Sequence, residues 1–131
     1  MTRTRSMITR AALGVAVASG AMVLGAAPAS AATPNTWATI AVSVRTGNIG
    51  YSYDQPSAGA AAAAAVDACG ARDCREAVSV TNGCAAVAQA RNRAWGWAYA
   101  ASLDEAERAA VRATPGKGAR VLSHVCTGAY R

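Results

Sequence analysis

One order of features is written twice in this chain. GNIGYSYDQPSAGAAAAAAVDACGARDC (47–74) runs from an aromatic alternation through a serine and an alanine-rich stretch to a Gly/basic loop. RAWGWAYAASLDEAERAAVRATPGKGA (93–119) repeats that order without the cysteines. A duplicated unit constrains the fold strongly, because each copy must form the same elements and bury the same kind of face.

The flanking segments complete the unit. WATIAVSV (37–44) is rich in β-formers, with Ile40, Val42 and Val44 in phase, and RTGN follows as a turn. Ile49, Tyr51 and Tyr53 then alternate with Gly50 and Ser52, the period-two pattern of a strand. Ser57 is placed to cap an alanine-rich helix that Gly70 stops. REAVSVT is a third strand, and Asn82-Gly83 reads as a type I′ hairpin turn leading into CAAVAQA. Residues 91–93 turn the chain into AWGWAYA, whose Trp95, Trp97 and Tyr99 share a face. Ser102 and Glu105 have the spacing of a capping box. Leu103, Ala106, Ala109, Ala110 and Ala113 make a helical stripe, with Asp104 and Arg108 four apart on the other side. Pro115, Gly116 and Gly118 end that helix, and ARVLSHV is the last strand. The expectation is an α+β domain: an antiparallel sheet with two helices, from a duplicated ββαβ unit spanning about 37–84 and 85–126.

The four cysteines are Cys69, Cys74, Cys84 and Cys126. Aligning Ser57 with Ser102 puts Cys69 opposite Thr114 and Cys74 opposite Ala119. The second copy therefore lacks both members of one pair. The economical pairing is Cys69 with Cys74 inside the first unit, and Cys84 with Cys126 across the two units. The first closes a six-residue loop and the second a loop of roughly forty, contributing roughly 2 and roughly 4 kcal/mol on a chain-entropy estimate. A four-cysteine zinc site is the alternative, but no C-x-x-C spacing supports it.

An even cysteine count fits the N-terminus. Arg3, Arg5 and Arg10 precede the uncharged AALGVAVASGAMVLGAAP, and ASAA follows. That order is a secretory leader with an Ala-x-Ala cleavage site, read as residues 1–31 with a cut after Ala31 or Ala32. A membrane anchor is the rival, but glycines and alanines dilute the apolar run. Residues 32–36 are then a linker, 37–126 the domain and 127–131 a tail. Without the leader, ten of the 13 basic residues face seven acids, a net charge of +3. These basic residues are scattered, which sets nucleic acid aside as a partner.

The run from TWATIAVSV to TNGCAAVA, followed by WGWAYAASLDEAERAAV and a terminal VC, resembles domain-of-unknown-function family 4189. Its most distinctive parts are Gly50–Tyr53, the helix ending in Cys69-Gly70 with Cys74, and the Trp-Gly-Trp strand. The resemblance covers nearly everything from Trp37 to Cys126. It implies a small exported protein of a kind common in actinobacteria. Members often carry a further cysteine pair near Thr114 and Ala119, where this chain departs, in agreement with the pairing above. The family brings no established activity and no catalytic residues.

Candidate chemistry is sparse. His124 is the single histidine; a Ser-His-Asp site would have to use it with a serine such as Ser43 or Ser79. No nucleophile-elbow motif supports such a site, and the seven carboxylates form no evident acid/base pair. The aromatic strands are the better candidates. If the helices pack on the small faces (Gly50 and Ser52, Gly96 and Ala98), then Tyr51, Tyr53, Trp95, Trp97 and Tyr99 form an exposed patch suited to a sugar or a protein. If the helices pack on the rings, the aromatics are core. The core packing is favoured, because alanine helices leave volume that large rings fill. No catalytic residue, metal or cofactor is assigned. The leading reading is a secreted, non-catalytic interaction module with a protein or an envelope glycan as partner. The alternative is a small secreted hydrolase or hydrolase inhibitor.

Overall fold

The computed structural model describes residues 35–130. The leader read over residues 1–31, its cleavage site and most of the linker lie outside the described residues. The first unit comprises β1 (Trp37–Val42), β2 (Ile49–Gln55), α1 (Ala58–Cys69) and β3 (Arg75–Thr81). The second comprises β4 (Cys84–Gln89), β5 (Trp95–Ala100), α2 (Leu103–Ala113) and β6 (Arg120–Cys126). The ββαβ order holds in both, in an α+β architecture. The strands divide between two antiparallel three-stranded sheets, β2-β1-β3 and β5-β4-β6.

In each unit the first strand is the centre of its sheet. It pairs with the second strand through a hairpin and with the third through the helical crossover. Central strands are covered on both faces, and residues 38–43 and 84–88 are all buried. That double burial explains why WATIAVSV and CAAVAQA carry no charge. The sheets stack on each other through Ala38, Ile40 and Val42 of β1, Val78 and Val80 of β3, Ala85 and Val87 of β4, and Val125 of β6. The opposite face of each sheet receives the helix of its own unit. Ala65 and Cys69 of α1 meet Ala41; Ala106 and Ala110 of α2 meet Cys84, Ala86, Ala88 and Cys126. The order of layers is therefore helix, sheet, sheet, helix.

The caps follow the sequence. The Ser57 hydroxyl accepts from the Ala60 amide at 3.1 Å, and Gly70 ends α1 at φ 78°. The Ser102 hydroxyl accepts from the Glu105 amide at 3.3 Å and donates to its carboxylate at 3.2 Å. Arg108 and Asp104 pair at 3.2 Å. The duplication extends to an irregularity. Pairing of β1 with β3 slips between Ile40 and Ala41, leaving Ala77 as the extra residue. Pairing of β4 with β6 slips between Val87 and Ala88, leaving Leu122. Both bulges sit at the same place in their unit.

Both disulfides pair as expected, Cys69 with Cys74 at a Cα separation of 6.2 Å and Cys84 with Cys126 at 4.0 Å. The relation of the second bridge to the repeat needs correcting. Cys84 begins β4 and lies opposite Cys126 at the end of β6, so this bridge joins the first and last strands of the second unit and does not cross between units. The same misreading affects Asn82-Gly83. It turns no hairpin, because β3 pairs with β1 while β4 pairs with β5 and β6; it carries the chain from one sheet to the other. Asn82 alone takes a positive φ, 55°, whereas a type I′ turn requires it at both central residues. Gly83 answers a different demand: a Cβ there would lie 2.5 Å from the Ala100 carbonyl oxygen. The expected tail begins inside the fold. Thr127 donates from its amide to the Gly83 carbonyl at 2.9 Å and accepts from the Gly83 amide on its hydroxyl at 3.1 Å.

Candidate functional site

The helices pack on the small faces of β2 and β5, which overturns the packing favoured from side-chain volume. Close approach of backbones decides the matter. A Cβ on Gly50 would run into the Cys69 amide and the Ala65 carbonyl, and one on Gly96 into Thr114. The Ser52 hydroxyl donates to the Ala61 carbonyl of α1 at 2.6 Å, bonding strand directly to helix. No aromatic ring fits between elements this close. The rings therefore point to the other side, where each edge strand faces the outer strand of the other sheet. Tyr51, Tyr53, Trp97 and Tyr99 are 52%, 46%, 43% and 67% exposed. Trp95 differs, being half-buried against the core between the sheets. Tyr51 lies opposite Ile40 and Trp97 opposite Val87, so these two rings occupy equivalent places in the repeat.

Each aromatic pair borders a groove. Between β2 and β6 lies one of about 790 Å³, lined by Tyr51, Tyr53, Ser123, His124, Glu107 and Tyr130 among others. The Tyr51 and Tyr53 rings are 6.3 Å apart between centres and within 16° of parallel. His124 Nδ1 stands 3.2 Å from Glu107 Oε2. Between β5 and β3 lies a second groove of about 440 Å³, with Trp97 and Tyr99 on one side and Glu76 and Ser79 on the other. There the Ser79 hydroxyl donates to Glu76 Oε2 at 2.6 Å and lies 2.6 Å from the Thr39 hydroxyl. Ser79 pairs with Thr39 and His124 with Ala86, the same register position in the two units. Each groove thus sets an aromatic pair near a carboxylate held by the residue at that position. Neither is lined by lysine or arginine.

Sequence reasoning missed both carboxylate partners. Glu76 and Ser79 are three apart, which on a regular strand puts them on opposite faces; the bulge at Ala77 brings them to one face. Glu107 and His124 come from different elements, and no local pattern links them. The serines weighed as nucleophiles are both bonded elsewhere. Ser43, fully buried, donates to Asp73 Oδ1 at 2.7 Å and accepts from the Thr46 amide at 3.1 Å. Ser79 is bonded as above. Among the described residues neither serine is hydrogen-bonded to His124. The Ser43 hydrogen bond, aided by Arg45 with its Nε 3.5 Å from Asp73 Oδ2, holds the Asp73 carboxyl below the usual aspartate range. All four cysteines are in disulfides and have no thiolate to offer zinc. Among the described residues no three His, Cys, Asp or Glu side chains converge as a metal site, and no helix is long and apolar enough to cross a membrane.

No curated protein and no solved structure matches the chain. The model of one family matches residues 37–126, the two units from the first strand to the last cysteine. The chain belongs to the family described as Domain of unknown function (DUF4189).

Proposed function

We propose that the protein is exported, loses its leader after Ala31 or Ala32, and acts outside the cytoplasm or at the cell envelope as a non-catalytic interaction module. Its binding surface is in two parts, Tyr51 with Tyr53 on one edge strand and Trp97 with Tyr99 on the other, with Trp95 supporting the second from the edge of the core. One observation carries this reading: large rings stand at the surface on both aromatic strands, while the small residues beside them pack against the helices. Exposed aromatics grouped in this way mark interaction sites. The two disulfides agree with an oxidising compartment. The experiment is co-sedimentation of the exported protein with washed cell envelopes and with secreted material. Wild type is expected to be retained, and a variant with all four rings replaced by alanine to be lost. Equal retention of the two, or none of either, overturns the reading.

The hydrolase alternative has one observation in its favour. The Glu107–His124 pair has the geometry in which a carboxylate orients a histidine base. Among the described residues no serine or threonine hydroxyl is hydrogen-bonded to His124. Turnover of ester, peptide or glycosidic substrates that disappears in His124→Ala would establish it in place of the binding module.

A further inference from the structure

Resting on the reading of the aromatic strands as a binding surface, we propose that each chain carries two quasi-equivalent saccharide sites. One is the Tyr51/Tyr53 groove between β2 and β6, the other the Trp97/Tyr99 groove between β5 and β3, and the ligand is a neutral oligosaccharide. Three observations converge. The first is size: volumes of about 790 and about 440 Å³ fall in the range of sites that take small ligands or short oligomers.

The second is composition. A pyranose ring offers a C–H face that lies on an aromatic ring and a rim of hydroxyls that donate to carboxylates. The first groove supplies Tyr51 and Tyr53 together with Glu107 Oε and His124. The second supplies Trp97 and Tyr99 together with Glu76 Oε and Ser79. Each groove has a carboxylate and neither is lined by lysine or arginine; His124, already paired with Glu107, is the one other titratable nitrogen in either lining, which disfavours an anionic ligand. A quaternary ammonium is also disfavoured, since it is held in an aromatic cage and two near-parallel rings enclose nothing.

The third is repetition. Tyr51 and Trp97 are equivalent, as are Ser79 and His124, and both bulges fall at the same place. A duplicated unit has therefore reproduced the aromatic wall of its groove, and the residue that holds the carboxylate, in corresponding positions. The carboxylates themselves come from different elements, Glu76 from β3 and Glu107 from α2. That combination argues for one ligand class at both sites. Two sites on one rigid domain would let a single chain hold two strands of a polymer or two points along one.

The test is calorimetric titration of the protein, expressed with its leader and recovered after export. The probes are cellotetraose, chitotetraose and maltotetraose, with choline and a polyproline peptide as other chemistries. At least one tetrasaccharide is expected to bind at two sites per chain. Tyr51→Ala should weaken one site about tenfold or more and Tyr99→Ala the other, the loss of one stacked ring corresponding to about 1.4 kcal/mol. The tryptophan fluorescence response should follow the Tyr99 site, because Trp97 lies there. Both rings are exposed, so an unchanged melting temperature separates lost binding from lost folding. No saccharide binding, a single site, indifference to both substitutions, or binding of choline or the peptide alone would each overturn the proposal. If the tetrasaccharides fail while envelope retention still depends on the rings, the saccharide assignment fails by itself. If retention fails too, the binding-surface reading goes with it.

Discussion

A methyl group at Gly50 would occupy the space of the Cys69 amide, and one at Gly96 that of Thr114. Backbone lies on the other side at Gly50, so the clash cannot be relieved by turning a side chain. Gly50→Ala is expected to destabilise the fold by about 3 kcal/mol, at the upper end for overpacking, read as a lower midpoint in urea unfolding. Tyr99→Ala should leave that midpoint within about 0.5 kcal/mol, as for surface substitutions. The two residues show what was legible. Period-two alternation announced two faces of different size, and the sequence reading put the wrong one against the helix. It weighed ring volume, whereas the gain comes from bringing helix and strand backbones together. Asp73 provides a pH signature at the same scale. Its carboxyl is held below the usual range chiefly by the Ser43 hydroxyl. A depressed folded-state pKa contributes stability that is fully present above the unfolded value of about 4 and is lost as pH falls through the lower folded value. Ser43→Ala should therefore flatten the acid side of a stability–pH profile below about pH 4, measured by thermal melts across that range.

At the scale of elements, the strands and helices were readable because each carried a local signal: alternation in the strands, Ser57 and Ser102 as caps, Gly70 as a stop. Pairing was less readable. Asn82-Gly83 fixes a local backbone shape and not the partner of the strand that follows, so a link between sheets passed for a hairpin and took Cys84 into the wrong unit. The bulges at Ala77 and Leu122 left no mark in the pattern, and with them went the Glu76–Ser79 pair. The alignment of Cys69 with Thr114 is matched in space. Gly50 abuts Cys69 as Gly96 abuts Thr114, and the Thr114 hydroxyl donates to the Ala110 carbonyl at 2.7 Å where the first unit has its bridge. The double substitution Thr114→Cys, Ala119→Cys is expected to form a third disulfide closing a loop as short as that of Cys69–Cys74. The gain should be roughly 2 kcal/mol, checked by mass mapping of non-reduced peptides and by the melting temperature.

For the whole molecule, about a hundred described residues, in the size range where a single core gives limited stability, are shared between one core joining the sheets and a thinner one under each helix. Crosslinks weigh heavily in such a domain. Replacing Cys84 and Cys126 by serine should cost roughly 4 kcal/mol and replacing Cys69 and Cys74 roughly 2, in that order by calorimetry. The central core is built from both units, so neither half can bury its inner face alone. This has a consequence for a chain that emerges from its N-terminus. Cys69 and Cys74 are close in sequence and can be oxidised early. Cys126 stands close to the C-terminus, and β6, which covers part of the first sheet, arrives last. During that interval β4 and β5 can cover Val78 and Val80 of β3, but the part of the first sheet that faces β6, along β1 and β2, stays open. The wait for the final strand is the window in which this chain is most open to self-association, and the pace of its emergence sets how long that window lasts.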